Sequence, residues 1–353
     1  MNDRTPPILR RSSRSIPSEP TGALATIADG FSLILARPWL MVLPIVVDLL
    51  LWLGVQISIQ PLTTPFARLM REDGGTNGED ASRQLLALGE KVHLNDLVAF
   101  FVPSIFSGLP RDNAFSWLLS ALLPQITAGI DREAMYRDWG AGFFTIWFPP
   151  HWVSVLTLAV GFLLLASLLV IAFRLPIARQ VRFAFDEPAR ETGIHEAPMA
   201  WVRLIGLLAL GILVVFALVV PLVILAVLML IFGAGLAFLI AFGLFGIGTM
   251  GAIYVYFALD IALLDRIGPI AAIRSSFWMV RGRFGECARF AIACAVIQTG
   301  LLRVWHVLVE SPPGIAVAML ANAFIGAGIV AATMLFIARR PHRATPPPRR
   351  VRR

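Results

Sequence analysis

Long apolar runs, separated by short arginine-rich segments, set the pattern of this chain. From Leu204 to Leu259 there is no Asp, Glu, Lys, Arg or His. A helix of that length would measure about 84 Å at ~1.5 Å per residue, whereas ~20 residues cross the ~30 Å hydrocarbon core of a bilayer. The run therefore crosses twice with a turn. The same reasoning predicts six transmembrane helices, at about 39–59, 151–173, 204–231, 236–259, 287–308 and 315–338. The expected fold class is all-α: one polytopic membrane domain over 21–338, between a disordered cytoplasmic tail at 1–20 and a basic disordered tail at 339–353.

Between the first two spans lies a helical extracytoplasmic insert, 60–150. It opens on a flexible glycine-rich tip, Asp73 to Gly78, followed by short apolar pieces at Leu97–Ile105, Phe115–Ile130 and Phe143–Phe148. Prolines 103, 124, 149 and 150 break these pieces, which predicts helices lying on the outer membrane surface or capping the bundle. Two further amphipathic segments precede spans. Aligned without gaps, Gly22, Ala25, Ile27, Phe31 and Arg37 match Gly268, Ala271, Ile273, Phe277 and Arg283. Leu24, Ile27, Phe31 and Ile34 correspond to Ile270, Ile273, Phe277 and Val280, one face of a helix in each case. Both read as in-plane helices at the cytoplasmic interface, and the match suggests two related halves.

Charge orients these elements. The net charge is +8 with 30 basic residues. The N-terminal tail, 174–203, 260–289 and the C-terminal tail hold 22 of them, and the opposite side holds eight. That is a positive-inside pattern with both termini cytoplasmic. Trp39, Trp147, Trp152 and Trp305 fall near span ends, as interfacial belts prefer. The expected partners are the bilayer, anionic lipids through the basic tail, and a membrane or envelope protein. Nucleic acid is not among them, because the excess charge sits just past a membrane helix. Cys287 and Cys294 lie about 10 Å apart along one helix face, too far for a disulfide.

Few residues offer chemistry. Asp48 sits in the middle of the first span, where a carboxylate must be paired, hydrated or protonated. It is either a ligand- or proton-binding group or a structural one, bonded to a neighbouring helix through Tyr254, Tyr256 or Gln298. Arg303 and His306 share one face near the outer end of the fifth span. They either hold an anionic group or, in the case of Arg303, snorkel to the interface. Arg266, Arg274, Arg281 and Arg283 could hold lipid head groups, although positive-inside patterning alone accounts for them. Gly246, Gly248 and Gly251 match a dinucleotide fingerprint only formally, inside an apolar span with no preceding strand. Neither catalytic residues nor a cofactor or metal site is expected.

Two segments carry a resemblance: Leu259 to Ser276, and Pro38-Trp39-Leu40-Met41-Val42-Leu43-Pro44. In the first, a span ends, a Gly268-Pro269 turn follows, and a helix containing Arg274-Ser275 leads into the next span. The chain thus resembles a broad group of uncharacterised bacterial six-helix membrane proteins, similar to the membrane domain fused to some glycerophosphodiester phosphodiesterases. The resemblance implies the bundle and transfers no catalytic residue. The chain carries no soluble phosphodiesterase domain, so that activity is not implied. The expected function is a non-catalytic scaffold or a component that binds lipid or a protein partner. The alternatives are a transporter of a small solute or lipid, and a membrane-embedded enzyme acting on lipid.

Overall fold

The computed structural model describes residues 22–73, 146–185, 196–211, 253–309 and 311–340, single positions 213 and 251, and parts of 78–106 (78–79, 82–83, 85–87, 89, 93–99 and 102–106). The long elements are all α-helices. α1 is Ala23–Ala36, and a 3-10 turn, Pro38–Met41, leads into α2, Val42–Leu53. β1 (Gln56–Ile57) and α3 (Gln60–Asp73) follow, then the short α4 (Asp96–Ala99) and β2 (Ile146–Trp147). α5 is Trp152–Ala184, α6 covers 196–211, and α7 is Ala258–Leu264. α8 (Pro269–Gly282), α9 (Phe284–Leu308) and α10 (Pro312–Ala338) complete the chain.

Among the described residues, two helices are long and apolar enough to cross a membrane, α5 and α10, or three if the bent pair of α1 with 38–53 counts as one span. Six were expected, and the differences have local causes. The span at 39–59 stops at Leu53, because Gly54 turns extended and residues 56–57 pair in parallel with 146–147. The span at 151–173 runs on to Ala184, so Arg174, Arg179 and Arg182 lie on the helix rather than in a loop. The spans at 204–231 and 236–259 fall mostly outside the described residues, and helical structure continues past 259 to Leu264. The last two helices begin three residues earlier than expected, at Phe284 and Pro312. The insert opens on α3 rather than on a loop, while 74–77 and 107–145, with the piece 115–130, lie outside the described residues, as do the tails 1–21 and 341–353.

The lipid-like surface is plain in side-chain exposure. Val42, Leu49, Leu50 and Leu53 on α2, Val160 and Leu165 on α5, and Ile292, Val296 and Val307 on α9 all face outward. Soluble monomers seldom present apolar faces this long. Trp39, Trp147 and Trp152 are exposed as an interfacial belt requires, but Trp305 is buried among Val47, Leu51 and Ile315.

The two amphipathic segments form helices of equal length and matching ends. Gly22 precedes α1 at φ −58°, ψ 162°, and Gly268 precedes α8 at φ −70°, ψ 165°. Arg37 and Arg283 end them at φ −142° and −145°, each donating its N–H to the carbonyl three residues back. The buried positions also correspond: Thr26, Gly30, Leu33 and Ile34 in α1 with Ala272, Ser276, Met279 and Val280 in α8. Each helix docks on another rather than only lying in a plane. α1 packs along α10, where a Cβ on Gly30 would sit 2.5 Å from the Gly328 carbonyl oxygen. α8 packs on the segment of α7, and Ser276, the counterpart of Gly30, donates to the Tyr254 carbonyl at 2.6 Å. Small residues at the contact let the backbones approach. At Arg37 the chain bends by 99° into the 3-10 turn and α2, as expected where the next residue is proline and the α region is disfavoured.

The principal core lies where α1, α5, α7, α9 and α10 meet. Phe336 stacks on Phe290 (centroids 4.3 Å apart) and Phe257 (5.6 Å), joining α10, α9 and the start of α7. A second cluster is formed at the other end by α2, α5, α9 and α10 around residues 98–106.

Candidate functional site

Residues 102–106 enter that second cluster. Val102, Ile105 and Phe106 are buried with Val47, Leu51, Ala166 and Met319. Pro103 reaches Gly326, near the middle of α10, where a side chain on the glycine would collide with the proline ring. The described residues of the apolar piece at 97–105 therefore pack in among the helices, where helices on the outer surface or capping the bundle were expected. Residues 103–106 are not helical, so their polar groups need partners from neighbouring elements.

Asp48 supplies them. Its Oδ1 accepts from the Ser104 hydroxyl at 2.5 Å and from the Ile105 N–H at 3.1 Å, and the Phe106 N–H donates to Ser104 Oγ at 3.0 Å. The carboxylate is fully buried. These partners differ from the expected Tyr254, Tyr256 and Gln298. Tyr254 stacks on Phe277, and Tyr256 packs edge-on against Phe257. The difference arises because the insert folds back into the bundle, which no periodicity within the insert signals.

At the opposite, cation-rich end, ion pairs join the helices. Arg174 of α5 bonds Asp260 of α7 at 2.5 Å, with both side chains at most 5% exposed. Glu196, at the start of α6, accepts from Arg179 (3.2 Å) and Arg182 (2.7 Å) of α5 and from Arg266 after α7 (2.9 Å). Arg339 bonds Asp29 of α1 at 2.7 Å, and Arg340 bonds Glu286 of α9 at 3.1 Å while lying over the Phe336 ring. The first two residues of the expected basic tail are thus buried and engaged in the fold.

The four arginines expected to meet lipid separate. Arg266 is bonded to Glu196, and Arg283 lies 4.0 Å from Glu286. Arg274 and Arg281 remain on the exposed face of α8, where Arg281 lies over Trp278 beside exposed Ile270 and Phe277. Arg303 and His306 lie on α9, and their side chains fall outside the described residues. Asp48, held by residues 104–105, and the exposed α8 arginines therefore form no common site. Sequence reasoning missed Ser104, the Arg174–Asp260 pairing and the role of Glu196. Asp260 was visible as the first charge after the uncharged run, but its partner required the extension of α5.

Burial works to raise the Glu196 pKa, but the hydrogen bonds and charges of Arg182 and Arg266 outweigh it and hold the carboxyl below its ordinary value. The folded pKa is depressed, so this contribution to stability is present above the unfolded glutamate value of 4.5 and is lost as pH falls through the folded value. Glu196→Gln is expected to flatten the acid limb of a pH–thermal-unfolding profile below about pH 4.5. An unchanged acid limb would show that Glu196 does not couple protonation to folding. Among the described residues no group of three or more His, Cys, Asp or Glu could hold a metal ion. Comparison with family models, curated proteins and solved structures gives no match for this chain.

Proposed function

We propose that this chain is a non-catalytic component of a bacterial cytoplasmic membrane, a six-span helical framework that binds lipid and a protein partner. The observation that carries this reading is the state of the charged side chains deep in the fold. Asp48 is closed under residues 104–105, and Arg174 is closed on Asp260, each inside apolar packing. Buried charges used in this way hold helices in register. The gathering of Arg179, Arg182, Arg266, Arg339 and Arg340 at one end supports the positive-inside arrangement with both termini cytoplasmic. α5 and α10 are the two helices of crossing length among the described residues, and the rest of the proposed six, at 39–59, 204–231, 236–259 and 287–308, rest on hydropathy. An apolar cleft of about 350 Å³ between α2 and α5, lined by Trp39, Val46, Phe173 and Pro176, suits an acyl chain.

The test is native mass spectrometry of the protein extracted with its own lipid. Phospholipid or protein held in fixed ratio through extraction is the expected result. A protein that emerges free of both contradicts the reading. The transporter alternative draws on a specific feature, the turn at 102–106 held by a carboxylate between two matching halves, which resembles the broken elements of transporters.

A further inference from the structure

Three arginines surround Glu196 from two directions, and a fourth, Arg203, stands two helical turns along α6 on the same face. Arg203 lies within electrostatic reach of Glu196, Arg182 and Arg266. We propose that Arg179, Arg182, Arg203 and Arg266 form a binding site for a phosphate monoester group, carried by a lipid or free in solution. Among the described residues, four guanidiniums stand against the single Glu196 carboxylate, a surplus of three positive charges in a half-buried setting.

Among the described residues, much of their donor capacity is unused. Each guanidinium carries five N–H groups. Glu196 accepts one from each of Arg179, Arg182 and Arg266, and Arg182 gives another to the Leu263 carbonyl. Arg203 makes no hydrogen bond among the described residues. Planar forks with spare donors match the oxygens of a phosphate, which takes several bidentate bonds where a carboxylate takes one. Arg179 and Arg266 are 33% and 38% exposed, so the group is open to a ligand, while Arg182 at 10% is held in place.

The frame is rigid. Trp201 Nε1 donates to Ser167 Oγ at 2.8 Å, tying α6 to α5, and Gly206 lies directly against Pro269 at the start of α8. Arg266 has φ 57°, left-handed backbone that side-chain-bearing residues disfavour. Such strain persists where the surroundings impose it, and it concentrates at ligand sites. The exposed Ile270, Phe277 and Trp278 of α8 follow close by, an apolar neighbour suited to lipid. The inference deepens the proposed lipid-binding role, but it rests on this cluster alone.

The test uses the full chain in mild detergent, titrated calorimetrically with inorganic phosphate against chloride at constant ionic strength. In parallel, native mass spectrometry follows phosphatidic acid retained from phosphatidylcholine nanodiscs. Saturable binding of either probe is expected, weakened about tenfold in Arg179→Gln/Arg203→Gln and unchanged in Arg68→Gln, an exposed position on α3. Retention of phosphatidic acid with no response to inorganic phosphate assigns the site to a lipid head group. Binding of inorganic phosphate that displaces the lipid assigns it to a free phosphate. No saturable binding of either probe to the unaltered protein overturns the proposal, and so does a double variant that binds equally well. Neither negative result touches the framework reading, which rests on Asp48 and on Arg174 with Asp260.

Discussion

Asp260→Ala is expected to lower stability by about 3–5 kcal/mol, the usual cost of removing one partner from a buried ion pair. The change deprives the Arg174 guanidinium of its carboxylate in a place where the side chain is 5% exposed. Water cannot replace the lost carboxylate there, so the desolvation penalty of the arginine loses its opposite charge. Arg174→Met with Asp260→Leu is expected to recover most of the loss, since apolar groups of similar volume often replace such a pair at little cost. Thermal unfolding in mild detergent measures both variants. A double variant as unstable as the single one would show that the two residues do not act as a unit. The pair matters because it ties α5, which presents Arg179 and Arg182 to Glu196, to α7, which is followed two residues on by Arg266.

The second large effect is expected at Asp48. Each hydrogen bond to a charged acceptor contributes about 1.5–3 kcal/mol, and Asp48→Ala removes the acceptor for both Ser104 and Ile105. The variant is expected to lose at least about 2 kcal/mol and to release residues 102–106 from the cluster around Val47 and Met319. Asp48→Asn keeps an oxygen at the same position and is expected to lose about 1 kcal/mol or less. Hydrogen exchange across 94–106 distinguishes the two, with fast exchange in the alanine variant and near-native protection in the asparagine variant. Asparagine as damaging as alanine would mean that the charge itself is needed, which would move the weight to a ligand- or proton-binding role.

Much of this architecture is legible in the sequence because it follows from hydrophobic periodicity. The helices at 284–308 and 312–338 and the matched pair after Gly22 and Gly268 all stand within a few residues of their expected places. Two kinds of feature were not legible. One is where an apolar run stops being a membrane span: α5 continues ten residues past Arg174 because neither Arg174 nor Pro176 interrupts the helix. A buried carboxylate on another helix satisfies the arginine, and hydropathy cannot register that partner. The other is the path of the insert. Pro103 and the short run at 97–105 argue against a span, but they do not say that the turn folds inward. That depends on the gap offered by Gly326 and on the acceptor offered by Asp48, more than fifty residues earlier in the chain. The candidate site was legible to the extent that Asp48 and Asp260 stood out as charges near apolar runs. The Glu196 cluster was not, since its arginines looked like ordinary topology signals.

The most direct test of the framework account is hydroxyl-radical footprinting of the unaltered protein in nanodiscs, read by mass spectrometry at Phe106 and Phe66. Phe106 is fully buried beside the Asp48 contact, whereas Phe66 on α3 is 55% exposed. Oxidation of Phe66 with Phe106 untouched is the result the account predicts. Comparable oxidation of both would place water beside Asp48, and a closed framework with a sealed carboxylate could not accommodate it.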